Sequence, residues 1–433
     1  MNRLWIENGT FITMDEEQMI VQGHMVTEND RIVYIGAEAP DHALQQGRRI
    51  SGKGLLFMPG LINTHGHAAM SLLRGYSDDE TLQVWLEQKM WPMEGRYREQ
   101  DTRAGTALAV MEMLKSGTTT FADMYDRMDV VAQVAQDSGI RAWLTRGVIG
   151  LCTEEEQRVK LEEAVRFAKE WNGRADGRIR TMLSPHAPYT CPPSLIEQFV
   201  QAAHDLDLPL HTHMSETAAE VGQNVKDYGV RPVEHLDRLG FFSRPSFVAH
   251  AVHLTNEEIA LLSERGVGVS HNPASNLKLA SGVARVPELL RAGVTVSLGT
   301  DSAASNNNLD LFDEIRLAAI IHKGVSGDPT AVPAETALKM GTVFGARTLW
   351  QEKELGRLKT GMKADFIAID TQQPHFYPQT DYVSHLVYSA SGRDVRHVWV
   401  DGRQVVQDGV CKLMDEERIL HEANACYQAL KNG

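Results

Sequence analysis

Two histidines one residue apart, His65 and His67, close the run Leu55-Leu56-Phe57-Met58-Pro59-Gly60-Leu61-Ile62-Asn63-Thr64-His65-Gly66-His67. Residues two apart on an extended strand share a face, so both imidazoles point the same way with Gly66 leaving room between them. Neutral imidazole is a common ligand for divalent metals. A lone His-x-His pair is as often core filling, so its meaning depends on whether other ligand-type residues close other apolar runs. They do. His186 closes 179–186, His211 and His213 close 208–213, and Glu216 follows three residues later. His250 closes 247–250, with His253 nearby; His271 closes 267–271, and Asp301 closes 294–301. Among 17 histidines most are structural, and His211, His253 and His271 are read so. Asp301, followed by Ser302, also suits a helix cap. The recurrence of these groups at successive run ends nevertheless points to one metal site.

The elements needed to gather them are visible in the patterning. From residue 55 short apolar runs alternate with amphipathic stretches, the signature of a parallel α/β fold. Helices are expected over 101–116, 127–138, 154–172, 193–206 and from Thr255, where Glu258 completes a capping box, with a further helix near 333–349. Strands are expected at the run starting with Leu55, at 118–124 and 141–146, and at the runs ending in His186, His213, His250, His271 and Asp301. Eight strands separated by helices fit a (β/α)₈ barrel, whose active site lies at the C-terminal face of its strands. An open doubly wound sheet is the alternative. Residues 1–54 read instead as strands and turns, with Asn8-Gly9 as a hairpin signal. Strand texture returns after residue 351, with 364–370 as one strand and a hairpin across Asp401-Gly402; 415–430 reads as a closing helix. The expected architecture is a TIM-like barrel over 55–350 and a flanking β-sandwich domain built from both chain ends, 1–54 and 351–433.

Composition narrows the function. The chain has 433 residues, 42% apolar and 23% charged, ordinary for a globular enzyme. A formal charge of −14 without basic runs argues against nucleic acid as a partner. No apolar run is long enough to span a membrane, the N-terminal residues lack a signal-peptide core, and Cys152, Cys191, Cys411 and Cys426 form no CxxC pair. A cytoplasmic location follows as the expectation, with a homo-oligomer compatible with it.

The motifs also carry a family resemblance. Pro59-Gly60-Leu61-Ile62-Asn63-Thr64-His65-Gly66-His67, His213, His250, Gly299-Thr300-Asp301 and the Gly361-Met362-Lys363-Ala364-Asp365-Phe366 entry to the flanking domain resemble the amidohydrolase superfamily over essentially the whole chain. Ser71-Leu72-Leu73-Arg74-Gly75, Trp91-Pro92-Met93-Glu94, His211-Thr212-His213-Met214-Ser215-Glu216 and Ser305-Asn306-Asn307-Asn308-Leu309-Asp310 look most like the 5′-methylthioadenosine/S-adenosylhomocysteine deaminases. Triazine hydrolases and guanine deaminases share much of this pattern.

The resemblance implies that His65, His67, His213 and Asp301 bind one Zn²⁺ per chain, iron(II) and manganese(II) being compatible with the same ligands. His250 then touches the activated water. Binuclear relatives carry a bridging lysine at the end of strand four; here that strand ends Leu183-Ser184-Pro185-His186, which favours one metal. The resemblance further implies that Glu94, Arg146 and His186 contact substrate and that Glu216 meets the reacting ring. Catalysis is assigned to Glu216, Asp301 and His250, with Glu216 and Asp301 also lying against substrate. The expected reaction is hydrolytic deamination of the adenine ring of S-adenosylhomocysteine and 5′-methylthioadenosine, and more weakly adenosine, with only a small nucleoside and water as partners. The rivals are a guanine or triazine aminohydrolase or chlorohydrolase and, in a different class, a catalytically silent binding protein on the same fold.

Overall fold

A computed structural model describes residues 3–432. Its strands are β1 (Arg3–Ile12), β2 (Ile20–Glu28), β3 (Arg31–Gly36), β4 (Arg48–Ser51), β5 (Leu55–Pro59), β6 (Leu61–Asn63), β7 (Thr118–Tyr125), β8 (Arg141–Val148), β9 (Ile179–Thr181), β10 (Ser184–Pro185), β11 (Leu210–Met214), β12 (Ser246–His250), β13 (Gly268–His271), β14 (Val296–Leu298), β15 (Phe366–Asp370), β16 (Val395–Val400), β17 (Arg403–Gln407) and β18 (Val410–Cys411).

The barrel is assembled from two parallel arcs. One runs from β6 through β7 and β8 to β9 and β10; the other runs β11-β12-β13-β14. Two parallel bridges join them, Leu183 to Leu210 on one side and Gly66 to Asp301 on the other. The second bridge brings the end of the His-x-His run directly against Asp301. Helices close the outside, among them Glu99–Lys115, Met128–Ser138, Glu154–Trp171 and Pro193–Leu206. Asn256–Arg265 starts with the expected reciprocal cap: Thr255 Oγ1 accepts from Glu258 N at 3.2 Å and Glu258 Oε2 accepts from Thr255 N at 2.8 Å.

The flanking sheet has the order β18-β17-β16-β15-β5-β1-β2-β3, with β4 beside β1, so strands from both chain ends meet at β5 and β15. Period-two alternation explains its two cores. Phe57, Phe366, Ala368 and Trp399 pack with Phe11 and Met25 in the sheet's own cluster. Leu56, Met58, Ile367 and Ile369, which point the other way, join the main barrel core. An aromatic ladder runs through the first set, Phe11–Phe57 at 5.1 Å between ring centroids and Phe366–Trp399 at 4.5 Å. On the barrel side Arg141, buried at the start of β8, is held by Asp365 at 2.9 and 3.1 Å and by Asp401 at 2.5 Å.

Three local expectations are revised. The run from Leu55 to His67 is not one strand: β5 belongs to the flanking sheet and β6 to the barrel, and Gly60 carries the chain between them. A Cβ there would lie 2.1 Å from Thr119 Oγ1, so no other residue fits the crossing. Asn8-Gly9 is not a hairpin. It is a bulge within β1, with Asn8 at φ 54° and a register shift between Ile6 and Gly9. The bulge lets one edge of β1 pair with β4 over Leu4–Glu7 and then with β5 over Thr10–Phe11. The helix near 333–349 is two helices, Ala334–Met340 and Val343–Thr348. Between them the Gly341 carbonyl leaves the helix to accept from Ile62 N at 2.9 Å. The Asp401-Gly402 hairpin forms with both residues at positive φ, 48° and 68°, and the closing helix spans Glu416–Asn432. Among the described residues no helix is long and apolar enough to cross a membrane.

Candidate active site

Strand ends deliver the ligand-type residues to one point, and their hydrogen bonds decide which atoms face it. Asn63 first locks β6 to the end of the eighth strand, donating to Thr300 Oγ1 at 2.7 Å and accepting from Thr300 N at 3.1 Å. His67 Nδ1 donates to Met124 O at 2.6 Å, and His213 Nδ1 donates to His186 O at 2.7 Å. A carbonyl only accepts, so both rings carry a proton on Nδ1 and turn Nε2 towards the common point. His65 is fixed through a relay. His211 Nδ1 donates to Phe247 O at 3.1 Å, leaving His211 Nε2 to accept from His65 Nδ1 at 3.0 Å. His65 Nε2 is then bare, fully buried and without a hydrogen-bond partner.

These nitrogens lie within 4.8 Å of one another. Asp301 Oδ1 stands 3.3 Å from His67 Nε2 and 3.7 Å from His65 Nε2. His67 Nε2 and His213 Nε2 face each other at 3.3 Å. Burial, reinforced by the neighbouring imidazoles, holds His65 and His213 well below the usual histidine range and therefore neutral. Three imidazole nitrogens and one carboxylate converging on a point fit a single divalent ion of the zinc type.

The groups around this point are equally constrained. His250 adopts φ 74° and Asp301 φ 58°, left-handed conformations that turn both side chains in from their strand ends. His250 Nδ1 donates to Asn276 Oδ1 at 2.8 Å, and its Nε2 lies 3.7 Å from Glu216 Oε2. Asp301 Oδ2 accepts from Ser275 at 2.6 Å and Ser305 at 3.0 Å, while Oδ1 accepts from Ser302 N at 2.8 Å. The following helix is capped by Ser302, whose side chain accepts from Ser305 N, so Asp301 is not the cap. Glu216 is 5% exposed. Burial and then the charge of Asp301 push its carboxyl up to about 8, so it carries a proton at neutral pH. Glu220 holds that turn from behind, accepting from Ser215 N at 2.9 Å and Glu216 N at 2.7 Å.

A cavity of about 490 Å³ opens above, walled by His67, His213, Glu216, His250 and Asp301 at its floor and by Glu94, Arg146 and His186. The long segment after β6 folds over it through a turn of π-helix, Trp85–Met90, and the short helix Trp91–Glu94. Glu94 Oε1 accepts from the Tyr125 hydroxyl at 2.6 Å. Burial raises the Glu94 carboxyl, and the Tyr125 hydrogen bond pulls it back. Arg146 reaches Asp126 at 3.1 Å and Glu163 at 3.3 Å. His186, pushed down to about 3 by burial, shares a hydrogen bond with Thr190 at 2.9 Å.

Residues 56–405 match the amidohydrolase family. The chain is 48% identical over 430 residues to a 5-methylthioadenosine/S-adenosylhomocysteine deaminase of Halalkalibacterium halodurans, covering 98% of each chain. The chain belongs to the amidohydrolase family. This amidohydrolase is also 46% identical over 426 residues to a 5′-deoxyadenosine deaminase of Methanosarcina acetivorans, again with 98% of each covered. Among solved structures it resembles a zinc-bound adenosine deaminase from Xanthomonas campestris, with a TM-score of 0.93, 35% identity and 99% of both chains covered. A zinc complex of an atrazine chlorohydrolase from Arthrobacter aurescens superposes with a TM-score of 0.90 at 27% identity, over 98% of this chain and 100% of that one.

All the expected site residues of the amidohydrolase meet at this cavity, His65 lying just beneath its floor. His271 and His253 stand apart, the first 3.4 Å from His322 and the second bonded to Ser281 O at 2.7 Å. The helix Pro273–Lys278, absent from the expected elements, supplies Ser275 and Asn276, which hold Asp301 and His250. The signal was a polar cluster directly after a barrel strand, Asn272-Pro273-Ala274-Ser275-Asn276, in residue types that are not zinc ligands.

Proposed function

We propose that this amidohydrolase adds water across the adenine ring of S-adenosylhomocysteine and 5′-methylthioadenosine, and more weakly adenosine, releasing ammonia and the inosyl product. The observation that carries the reading is the meeting, on one cavity floor, of a four-donor metal cradle with the buried carboxyl of Glu216. His65, His67, His213 and Asp301 would hold one zinc ion, which supplies a Lewis acid able to make water nucleophilic near neutral pH. Asp301 is placed to accept the proton that the water gives up. His250, its Nδ1–H committed to Asn276, offers an Nε2 lone pair that orients the same water. Glu216 gives its proton to the ring nitrogen beside the attacked carbon, where negative charge would otherwise build. The proton taken by Asp301 then passes to the departing amino group; as the carbon–nitrogen bond breaks, the added hydroxyl becomes the ring carbonyl and its proton returns to Glu216, so water and substrate leave as inosyl product and ammonia with both carboxyl groups restored. Glu94 accepts hydrogen bonds from the ribose hydroxyls, His186 borders the ring, and Arg146 meets an anionic 5′-substituent by a charge-assisted bond.

Relatives named as deaminases of methylthioadenosine, S-adenosylhomocysteine and 5′-deoxyadenosine support this substrate class. The test is an ammonia-release screen of the zinc-loaded enzyme on these nucleosides, adenosine, free adenine, guanine and triazines. Nucleosides should be preferred and free adenine poor, since it lacks the ribose handle. A preference for guanine or triazines would overturn the substrate assignment and leave the hydrolase chemistry standing.

A further inference from the structure

Glu94 sits on the segment that covers the cavity, yet its carboxylate is held from the barrel itself. Tyr125 closes β7 and pairs in register with Arg146 of β8, so its ring stands on rigid sheet between the metal cradle and the charged end of the cavity. Its hydroxyl donates to Glu94 Oε1 at 2.6 Å, and both residues line the cavity. The covering segment is tied down on either side of Glu94 by other means: Lys278 Nζ lies 2.5 Å from Asp78 Oδ1, and Arg127 donates to Tyr97 O at 2.8 Å. Those bonds fix the segment; the Tyr125 bond fixes the carboxylate plane. With Oε1 engaged, Oε2 is left as the acceptor for a ligand. A carboxylate oxygen held in one plane offers its lone pairs to two adjacent hydroxyl donors.

We propose that Tyr125 is the positioning residue that sets the enzyme's preference for nucleosides carrying vicinal 2′- and 3′-hydroxyls, by fixing Glu94 in the orientation that accepts from them. This rests on the nucleoside reading above. In Tyr125→Phe the ring and its packing remain, but the carboxylate is free to rotate and turns partly to water.

The experiment compares kcat/KM for adenosine and 2′,3′-dideoxyadenosine in wild type, Tyr125→Phe, Glu94→Gln and the double variant, each zinc-loaded and checked for metal content. Wild type should favour the diol. Tyr125→Phe should reduce the ratio of the two kcat/KM values on the order of tenfold or more, the scale of a hydrogen bond to a charged group, mainly through KM. In the Glu94→Gln background the same change should move the ratio by less than about twofold, because the group it orients is gone. An equal loss on both substrates, or an unchanged ratio in Tyr125→Phe, overturns the assignment of Tyr125 while the nucleoside reading stands. A wild-type enzyme indifferent to the two hydroxyls overturns both together.

Discussion

Replacing His211 with Phe should weaken zinc binding without touching a ligand. His211 is 1% exposed and stacks on Phe247 with ring centroids 4.0 Å apart; a phenyl ring keeps that stack and most of the volume. What it removes is the acceptor for His65 Nδ1–H at 3.0 Å. Two costs follow. The His65 proton is left unpaired in a buried site, worth about 1–3 kcal/mol. His65 can also move its proton to Nε2, the atom that must be bare to bind metal. The metal-free ring escapes the first cost by making that tautomer change, which zinc binding must reverse, so at about 1.4 kcal/mol per factor of ten binding weakens by at most roughly 5- to 150-fold. Outer partners of metal-bound histidines typically contribute about 10- to 100-fold. We therefore expect the zinc Kd, measured by competition with a chromogenic chelator, to rise by about 10- to 100-fold. Saturating zinc should restore most of kcat. A variant whose zinc affinity stays within about twofold of wild type, with lowered stability of the metal-free protein as its only defect, refutes the relay and returns His211 to a packing role.

Other perturbations separate the remaining roles. Glu216→Gln should retain zinc and lose about 10²- to 10⁴-fold in kcat, the usual contribution of a general acid or base; near-normal turnover would remove it from the proton path. Arg146→Ala should raise KM for S-adenosylhomocysteine more than for 5′-methylthioadenosine, whose 5′-group is uncharged, and equal effects would detach Arg146 from the 5′-end. Glu314 is buried, accepts from Ala274 N at 3.1 Å and Asn306 Nδ2 at 2.6 Å, and burial pushes its carboxyl up to about 8. A carboxyl raised on folding stabilises the fold below its ordinary pKa, and that contribution is lost as pH rises towards 8. The stability difference between Glu314→Gln and wild type should therefore shift in the variant's favour between pH 5 and 9 in urea titrations. A difference that is flat or moves the other way excludes Glu314 as a proton-holding group.

The metal cradle was legible because its residues are rare types at the ends of apolar runs, and the barrel because those runs alternate with helical stretches. His65, His213 and Asp301 need only their strands to be placed. Glu94 depended on resemblance, since nothing in a covering segment's periodicity says that one carboxylate turns inward. The residues left unread act through hydrogen bonds across large sequence separations. His211 looked like core because its partner is His65, and Asn276 and Ser275 because serine and asparagine are ordinary in loops. The Asn8-Gly9 pair shows a different gap. Two residues that favour positive φ serve a bulge as readily as a turn, and here the bulge lets β4 and β5 share one edge of β1 in succession.

The place of β5 has a consequence for how the protein is made. β5 ends at Pro59 and its antiparallel neighbour β15 begins at Phe366. At about 5–20 residues per second, the ribosome takes roughly 15 to 60 s to travel between them. Throughout that interval the nascent chain carries Leu55-Leu56-Phe57-Met58 with one edge unpaired, the kind of strand that recruits foreign strands. The same strand leads through Gly60 into β6 and His65, so the first metal ligands emerge attached to an apolar strand with an open edge. Yield in a cell should thus depend on holdase chaperones and on slow synthesis temperature more than on the stability of the finished enzyme, and zinc supplied during translation cannot substitute for the missing neighbour.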